Sequence, residues 1–387
     1  MPLRILIITQ EDFLTGAMFS VSFLAKSLQE RRHSVWVAAR EDSDLHVQIK
    51  KLGIPFLPIT ISSKLDRNAI QQLRAWVHAH GINVINAQSS KDRYVSVFAR
   101  WFFQLPVTVV HTRRQVSLSV GGFLQNLIYQ GGTDKVVAVS YGVKRSLVAK
   151  GMSSQHIRVI RNGTPSYKFT VSPLYVSRLR EEYQIKPGDW VIGCIARRKK
   201  QEQVLLALGE IEHPVKVFFV GFEEDDQLRS LRSGLHHTIF YPGSLPAAEA
   251  LPFLHLFTCY VLCSTTEGLS QSLLEAMYAQ VPVVTTAAAG NLDLIKHERN
   301  GLLFEDANVV QLAASIKRVH QNHELRDRIV ARARRQVTTY YSMDRVAHEY
   351  VELFTSLLSS RKKRQDASRS IAPYSFRGWL RSAGLRF

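Results

Sequence analysis

The chain has no run of 18 apolar residues, which excludes an ordinary membrane-spanning helix. Cysteine is scarce. Cys194, Cys259 and Cys263 sit in or at the end of apolar stretches, are odd in number, and make no zinc spacing, which fits a reducing cytoplasm. No Gly-x-Ser-x-Gly turn and no Walker loop occurs. The pairs His78/His80 and His236/His237 lack the i,i+4 spacing that puts two metal ligands on one helix face. The amino end, Leu3 to Thr9, is too short for the apolar core of a secretion signal and reads as a first buried strand. Acid is short as well: 32 Asp and Glu stand against 50 Lys and Arg, a formal charge of +18. Such a chain expects polyanionic company, whether nucleic acid, anionic lipid or phosphorylated substrates.

What is present is a large apolar fraction, 45% of 387 residues, enough for two buried cores. Short apolar runs at 5–8, 35–38, 55–59, 82–85, 107–110 and 135–139 have strand length. Longer amphipathic stretches at 19–30, 68–80 and 93–103 lie between them. Strands alternating with helices predict a parallel sheet covered on both faces, with ligands at the carboxyl ends of the strands. The alternation restarts at 190–195, after a proline-bearing stretch at 165–188.

The stretch Ser264 to Met277 carries the most chemistry. The apolar strand Tyr260–Cys263 runs into a polar turn, Gly268, and then a helix with Glu275. A helix start beside strand ends offers free N–H groups and a positive dipole end, which suit a phosphate. Glu275, one and a half turns in, could accept from a pair of sugar hydroxyls. Equally, Ser264-x-x-Glu267 and Ser272-x-x-Glu275 both fit the capping-box spacing, so either glutamate could simply start a helix. Upstream, Arg197-Arg198-Lys199-Lys200 lies between a strand end and a helix start, as a pyrophosphate clamp or a solvated basic turn.

Glu267-x7-Glu275, followed by Ala276-Met277 and the Val281–Val284 strand, resembles the signature of the retaining, family-four (group 1) glycosyltransferases of the GT-B fold. This chain has Gln280 where the family usually has glycine before that strand. The resemblance covers about residues 1–358 and implies an α/β architecture of two facing Rossmann-like domains across a deep cleft. It implies an acceptor domain at 1–165, a connection at 166–188, a nucleotide-sugar domain at 189–341, and a crossover helix at 342–360. It implies that Glu275 binds the nucleotide ribose, that Glu267 sits at the donor sugar, and that Gly268, Leu269 and Ser270 face the diphosphate. Gly243 belongs to a turn whose backbone faces the base, and Gly16 to a loop over the diphosphate. The family's Arg and Lys that hold the diphosphate map to Arg197 and Lys200, with Arg198 and Lys199 as rivals in a shortened loop. Lys91, Asp92, His111 and Arg113 resemble acceptor-side segments of a subgroup acting on cell-envelope glycans; Asp92 could otherwise cap a helix.

The expected activity is therefore transfer of a sugar from a nucleotide diphosphate sugar to a hydroxyl of a glycan or glycolipid, without a metal or other cofactor. Retention admits a covalent carboxylate or same-face attack. Asp42-Ser43-Asp44 matches the metal motif of the other large glycosyltransferase fold but lies in a charged turn before a helix and reads as capping. A sugar-nucleotide epimerase shares the architecture, and a nucleic-acid-binding protein would explain the charge. The cations, however, sit at strand ends and in the tail, with no nucleic-acid motif.

Residues 361–387 hold eight Lys and Arg against one acid, Asp366, interleaved with Tyr374, Phe376, Trp379, Leu380, Leu385 and Phe387. That mixture suits an anionic membrane surface. Pro373 and Gly378 argue for a short irregular anchor. The expected place is the cytoplasmic face of the inner membrane.

Overall fold

The computed structural model describes residues 2–10, 16–114, 123–288 and 290–371. The first unit runs β1 (Arg4–Ile8), α1 (Gly16–Glu30), β2 (Ser34–Ala39), α2 (Asp44–Lys51), β3 (Phe56–Pro58), α3 (Arg67–His80), β4 (Val84–Ala87), α4 (Ser90–Phe103), β5 (Thr108–Arg113), α5 (Phe123–Gly132), β6 (Lys135–Ala138), α6 (Tyr141–Ala149) and β7 (Ile157–Val159). Its strands form one parallel sheet in the order β3-β2-β1-β4-β5-β6-β7. Strand alternation divides the core. Ile5 and Ile7 of β1 pack on the α1 side, while Leu6 and Ile8 pack with α3 and α4.

The second unit begins with α7 (Pro173–Glu182), β8 (Val191–Ile195), α8 (Glu202–Leu208), β9 (Lys216–Val220), α9 (Asp226–Arg232) and β10 (Thr238–Gly243). It continues with α10 (Ala247–Ala250), β11 (Cys259–Leu262), α11 (Gln271–Tyr278), β12 (Val283–Thr286), α12 (Asn291–Leu294), β13 (Leu302–Phe304), α13 (Val309–Gln321) and α14 (His323–Tyr340). Its parallel sheet has the order β10-β9-β8-β11-β12-β13. Two parallel α/β units are the architecture expected of the alternating pattern. The stretch read as a connection holds a 3-10 turn, Ser166–Phe169, and then α7, because Pro173 starts a helix rather than breaking one.

The chain then returns. α15 (Met343–Ile371) packs Met343, Val346, Ala347, Tyr350 and Phe354 into the core of the first unit, on α1. The two crossings touch: Thr164 N–H donates to the Tyr341 carbonyl at 2.9 Å and Met343 N–H to the Thr164 carbonyl at 3.2 Å. Gly163 permits this approach, since a Cβ there would lie 2.7 Å from Val346 and 3.0 Å from the Ser342 carbonyl oxygen. α15 runs past the expected end at residue 360, through the first part of the basic tail, to Ile371. Pro373 and Gly378, with the rest of 372–387, lie outside the described residues.

Two local readings resolve. Ser43 between the two aspartates caps α2 by accepting from His46 N–H, while Asp42 pairs with Arg40 at 2.9 Å. Gln280, in the usual glycine position, has φ +62°, so a residue with a Cβ occupies a left-handed turn there.

Candidate active site

The carboxyl ends of the two sheets meet at a cavity of about 560 Å³, within the range of small-molecule sites. The second unit supplies most of its lining. β11 ends and the chain turns through Ser264–Ser270 before α11 begins. Ser270 is the cap, its Oγ accepting from Leu273 N–H at 3.4 Å. Neither glutamate is therefore a capping-box residue. Glu267 stands before the helix, where its Oε1 accepts from Ser264 Oγ at 3.1 Å. Glu275 lies inside the helix, and both carboxylates line the cavity with Gly268, Leu269 and Ser270. The loop is held from behind by Gly290, whose N–H donates to the Glu267 carbonyl at 3.0 Å. A Cβ on Gly290 would lie 1.9 Å from the Gly268 carbonyl oxygen, so the two backbones meet only because that residue is glycine.

The four cations after β8 divide. Arg197 and Lys199 line the cavity. Arg198 turns outward to Glu202 at 2.5 Å and Asp225 at 2.6 Å. Lys200 ion-pairs with Asp306, which also accepts from Gln203 at 3.0 Å, and it does not line the cavity. Lys200, to which the family's diphosphate lysine was mapped, lies outside the cavity lining, and the lysine of this turn that lines it is its rival, Lys199. Its ammonium contacts Glu267, and its side chain is one-quarter exposed. Burial pushes Lys199 down to about 8, with the neighbouring charge of Arg197 acting the same way. Gly243 has φ +79°, and a Cβ there would lie 2.4 Å from Glu223 Oε1; the residue after it, Ser244, lines the cavity.

The first unit contributes differently. Gly16 is the first residue of α1, and the loop before it lies outside the described residues. Asp92 is wholly buried and forms a reciprocal capping box with Ser89, accepting from Ser89 N–H at 2.7 Å. His111 is wholly buried beneath α5, its Nδ1 hydrogen-bonded to Tyr129 Oη. Burial and the charges of Arg93 and Arg113 hold His111 well below the usual histidine range, so it is neutral. Lys91 is exposed and Arg113 half-buried. None of these four lines the cavity.

Arg114, the last residue of the His111–Arg114 segment expected at the cleft edge, does line the cavity, and so do Asn162 and Lys168, to which sequence reasoning gave no site role. Arg114 donates to Gln88 Oε1 at 2.9 Å and to Asn162 Oδ1 at 2.7 Å, a network joining the ends of β4, β5 and β7. The signal for Arg114 was its place one residue after Arg113 at a strand end. Lys168, in the connection, ion-pairs with Glu275 across 107 residues of sequence, and no local pattern announces it.

Two family models match the chain. One described as Glycosyltransferase Family 4 covers residues 15–166, and one described as Glycosyl transferases group 1 covers residues 176–336. An uncharacterized glycosyltransferase of Methanocaldococcus jannaschii is 25% identical over 231 residues, which is 57% of this chain and 59% of the relative. The chain thus matches under two thirds of that relative's length. The capsular polysaccharide biosynthesis glycosyltransferase CapM of Staphylococcus aureus is 20% identical over 379 residues, covering 88% of this chain and 97% of CapM. Among solved structures, HepE of Anabaena in complex with UDP and glucose superposes with a TM-score of 0.78 at 20% identity, over 92% of this chain and 100% of that one.

Proposed function

Because the chain belongs to the group 1, family-four glycosyltransferases and has their GT-B fold, we propose that it transfers a hexosyl or heptosyl group from a nucleotide diphosphate sugar to a hydroxyl of a cell-envelope glycan or lipid-linked acceptor, with retention. The observation that carries this reading is the convergence of Arg197, Lys199, Glu267 and the start of α11 on one cavity. In the reaction the bond from the anomeric carbon to the diphosphate oxygen breaks, the acceptor oxygen bonds to that carbon, and the acceptor's hydroxyl proton passes to the leaving phosphate oxygen. The leaving group gains negative charge in the transition state. The cations Arg197 and Lys199 and the N–H groups of the Gly268–Ser270 loop neutralise it, which is the term that most lowers such barriers. Glu267 stands against Lys199, at the edge of that cationic patch, where the donor sugar would lie. Binding of UDP or a UDP-sugar by HepE supports a nucleotide-sugar donor here. The neutralisation needs no metal ion, so we expect activity to persist in EDTA.

The acceptor reading draws on CapM and on a lipopolysaccharide core glycosyltransferase, LpsE of Rhizobium meliloti, as relatives. It also draws on one surface of the first unit. Arg361 of α15 donates to the carbonyls of Val107 and Leu105, which brings the basic end of the helix beside the end of α4. There Trp101 and Phe102 are 42% and 62% exposed. Rings beside cations suit the headgroup layer of an anionic membrane, on the cytoplasmic side. No helix among the described residues is long and apolar enough to cross a membrane. The test is a panel of nucleotide diphosphate sugars with and without envelope lipid extract, read as nucleoside diphosphate release, product mass and anomeric configuration. Conversion of a donor without any acceptor product would replace transfer by epimerisation.

A further inference from the structure

Lys168 and Glu275 form a closely covered ion pair. Their side chains are 8% and 10% exposed, and both line the cavity. The ammonium also lies 5.1 Å from the ring centroid of Phe19 and 5.4 Å from that of Phe23, both on α1. Its neighbours hold it in place. Phe169 stacks on Tyr278 of α11 at 4.2 Å, and Tyr167 meets Phe23 edge-on at 6.2 Å. The lysine is therefore fixed on both units by the turn that carries it, at a point where a long side chain on a connection would ordinarily be solvated.

A pair this covered is costly to bury unless its remaining hydrogen-bonding capacity is used. An ammonium has three donors and no acceptor; a carboxylate has two acceptor oxygens and no donor. One contact joins them, between Lys168 Nζ and Glu275 Oε1, which leaves donors on one and Oε2 on the other beside the cavity. A vicinal diol is the complement, since each hydroxyl both donates and accepts. A carboxylate alone can only receive from such a diol; the pair can receive and give.

Resting on the reading of the chain as a nucleotide-sugar transferase, we propose that Lys168 is the second half of the ribose subsite. Glu275 accepts from the ribose hydroxyls, and Lys168 donates to the oxygen of one of them. Lys168 is then a specificity residue for ribose over deoxyribose, because an analogue lacking a hydroxyl leaves a buried charged group short of a partner. The subsite also joins α11, the connection and, through Phe19 and Phe23, α1, so nucleotide binding engages both units.

The test uses the full chain and calorimetric titration with UDP, ADP and GDP, each against its 2′-deoxy form. The unaltered protein should prefer the ribose form of the nucleotide it binds by about tenfold. Lys168→Met and Lys168→Gln should each bring that preference to within about twofold, Glu275→Gln should do the same, and Lys168→Arg should restore part of it. Thermal melts check that each variant is folded, and the two uncharged replacements guard against failure of either one. If both Lys168 variants weaken ribose and deoxyribose forms alike and keep their ratio, Lys168 only fastens the connection and the proposal falls, with Glu275 unaffected. If Glu275→Gln keeps the preference, the ribose role of Glu275 falls, and Lys168 with it. If the unaltered chain binds none of the three, the donor reading itself is overturned.

Discussion

The two walls of the cleft are built over different distances in sequence. In the second unit, Arg197, Lys199, Gly221, Ser244 and Glu267 each come from the turn that directly follows a strand, and Glu275 from the helix after one of those turns. Local backbone geometry aims each group, and the register of the parallel sheet brings the turns together. In the first unit, comparable strand-end segments send Asp92 and His111 inward, to a helix cap and to Tyr129. Asp44 and Arg114 face the cleft from segments that follow strands, but Arg114, Asn162 and, in the connection, Lys168 are held by partners 26, 48 and 107 residues away. A wall made of local turns can be read from a motif. A wall made of distant contacts needs the fold first.

The sharpest way to break this contrast is at the basic turn after β8. Arg197→Ala and Lys199→Ala should each lower turnover by roughly 10²-fold or more, because each removes charge stabilisation from the leaving diphosphate. Lys200→Ala should change it by less than about threefold, since an exposed ion pair such as Lys200–Asp306 contributes little. Steady-state rates with the best donor of the panel decide this. A large loss at Lys200 with none at Lys199 would return the site to the mapping made from sequence.

A smaller effect follows from the depressed ammonium of Lys199. Its ordinary value is 10.5 and burial brings it to about 8, so the charge is present below pH 8 and is lost as pH rises through it. Nucleoside diphosphate affinity in the protein without donor should fall about tenfold between pH 7 and pH 9.5, as the neutral amine ceases to pair with phosphate. Lys199→Arg should flatten that fall, because guanidinium does not titrate there. Titration calorimetry across this range measures both, and a flat profile for the unaltered chain would show that Lys199 is not the phosphate cation.

Gln280 tests how finely the local wall is tuned. At φ +62° it occupies a conformation that costs a residue with a Cβ about 1–2 kcal/mol. Gln280→Gly should therefore raise stability, by about 0.5–1 kcal/mol once the greater freedom of glycine in the unfolded chain is subtracted. Donor affinity should be unchanged. Denaturant unfolding gives the first and calorimetry the second. A loss of stability would mean that the Gln280 side chain holds the turn in a way its backbone angle does not reveal.

Much of the fold was legible because its signals are periodic. Ile5 to Ile8, Val217 to Val220 and Tyr260 to Leu262 are strands wherever they are found, and their spacing by helices dictates a parallel sheet. The helix α2 was expected after its charged turn, but α7 was read as linker, since ten residues rich in charge carry a weak apolar period. At the site, Glu267 and Glu275 were legible as a spaced pair within one strand-turn-helix. The choice between Lys199 and Lys200 was not. Which of them lines the cavity turns on which side of a short loop faces out, and Asp306, a hundred residues on, holds Lys200 outside it. Asp92 and His111 lie outside the cavity lining for a related reason. Their segments sit at the cleft edge, but whether a side chain points into the cleft depends on α4 capping and on Tyr129 of α5.

The α15 end should affect cleft chemistry least, and it separates attachment from catalysis. A chain ending at Arg361 keeps the guanidinium bonds to Leu105 and Val107 and so leaves the end of α4 undisturbed. It loses seven cations, Lys362, Lys363, Arg364, Arg369, Arg377, Arg381 and Arg386. Turnover on a soluble acceptor analogue should stay within about twofold, because the cut lies in the surface layer beyond the strand ends that form the cavity. Binding to vesicles rich in anionic lipid should fall by about 10²-fold or more, since each cation near such a surface is worth about 1 kcal/mol and half of the seven would suffice. The rings of α4 form the second arm. Tyr94, Phe98 and Phe102 stack in one stripe, with centroids 6.0 and 5.7 Å apart, and Trp101 stands beside it. Replacing Trp101 and Phe102 with serine should weaken vesicle binding further at high salt, where the charges are screened and the apolar contribution remains. Co-sedimentation at low and high salt measures both arms. Equal binding by the truncated and full chains at both salts would detach the basic helix end from the membrane and leave the acceptor to be recognised in the cleft alone.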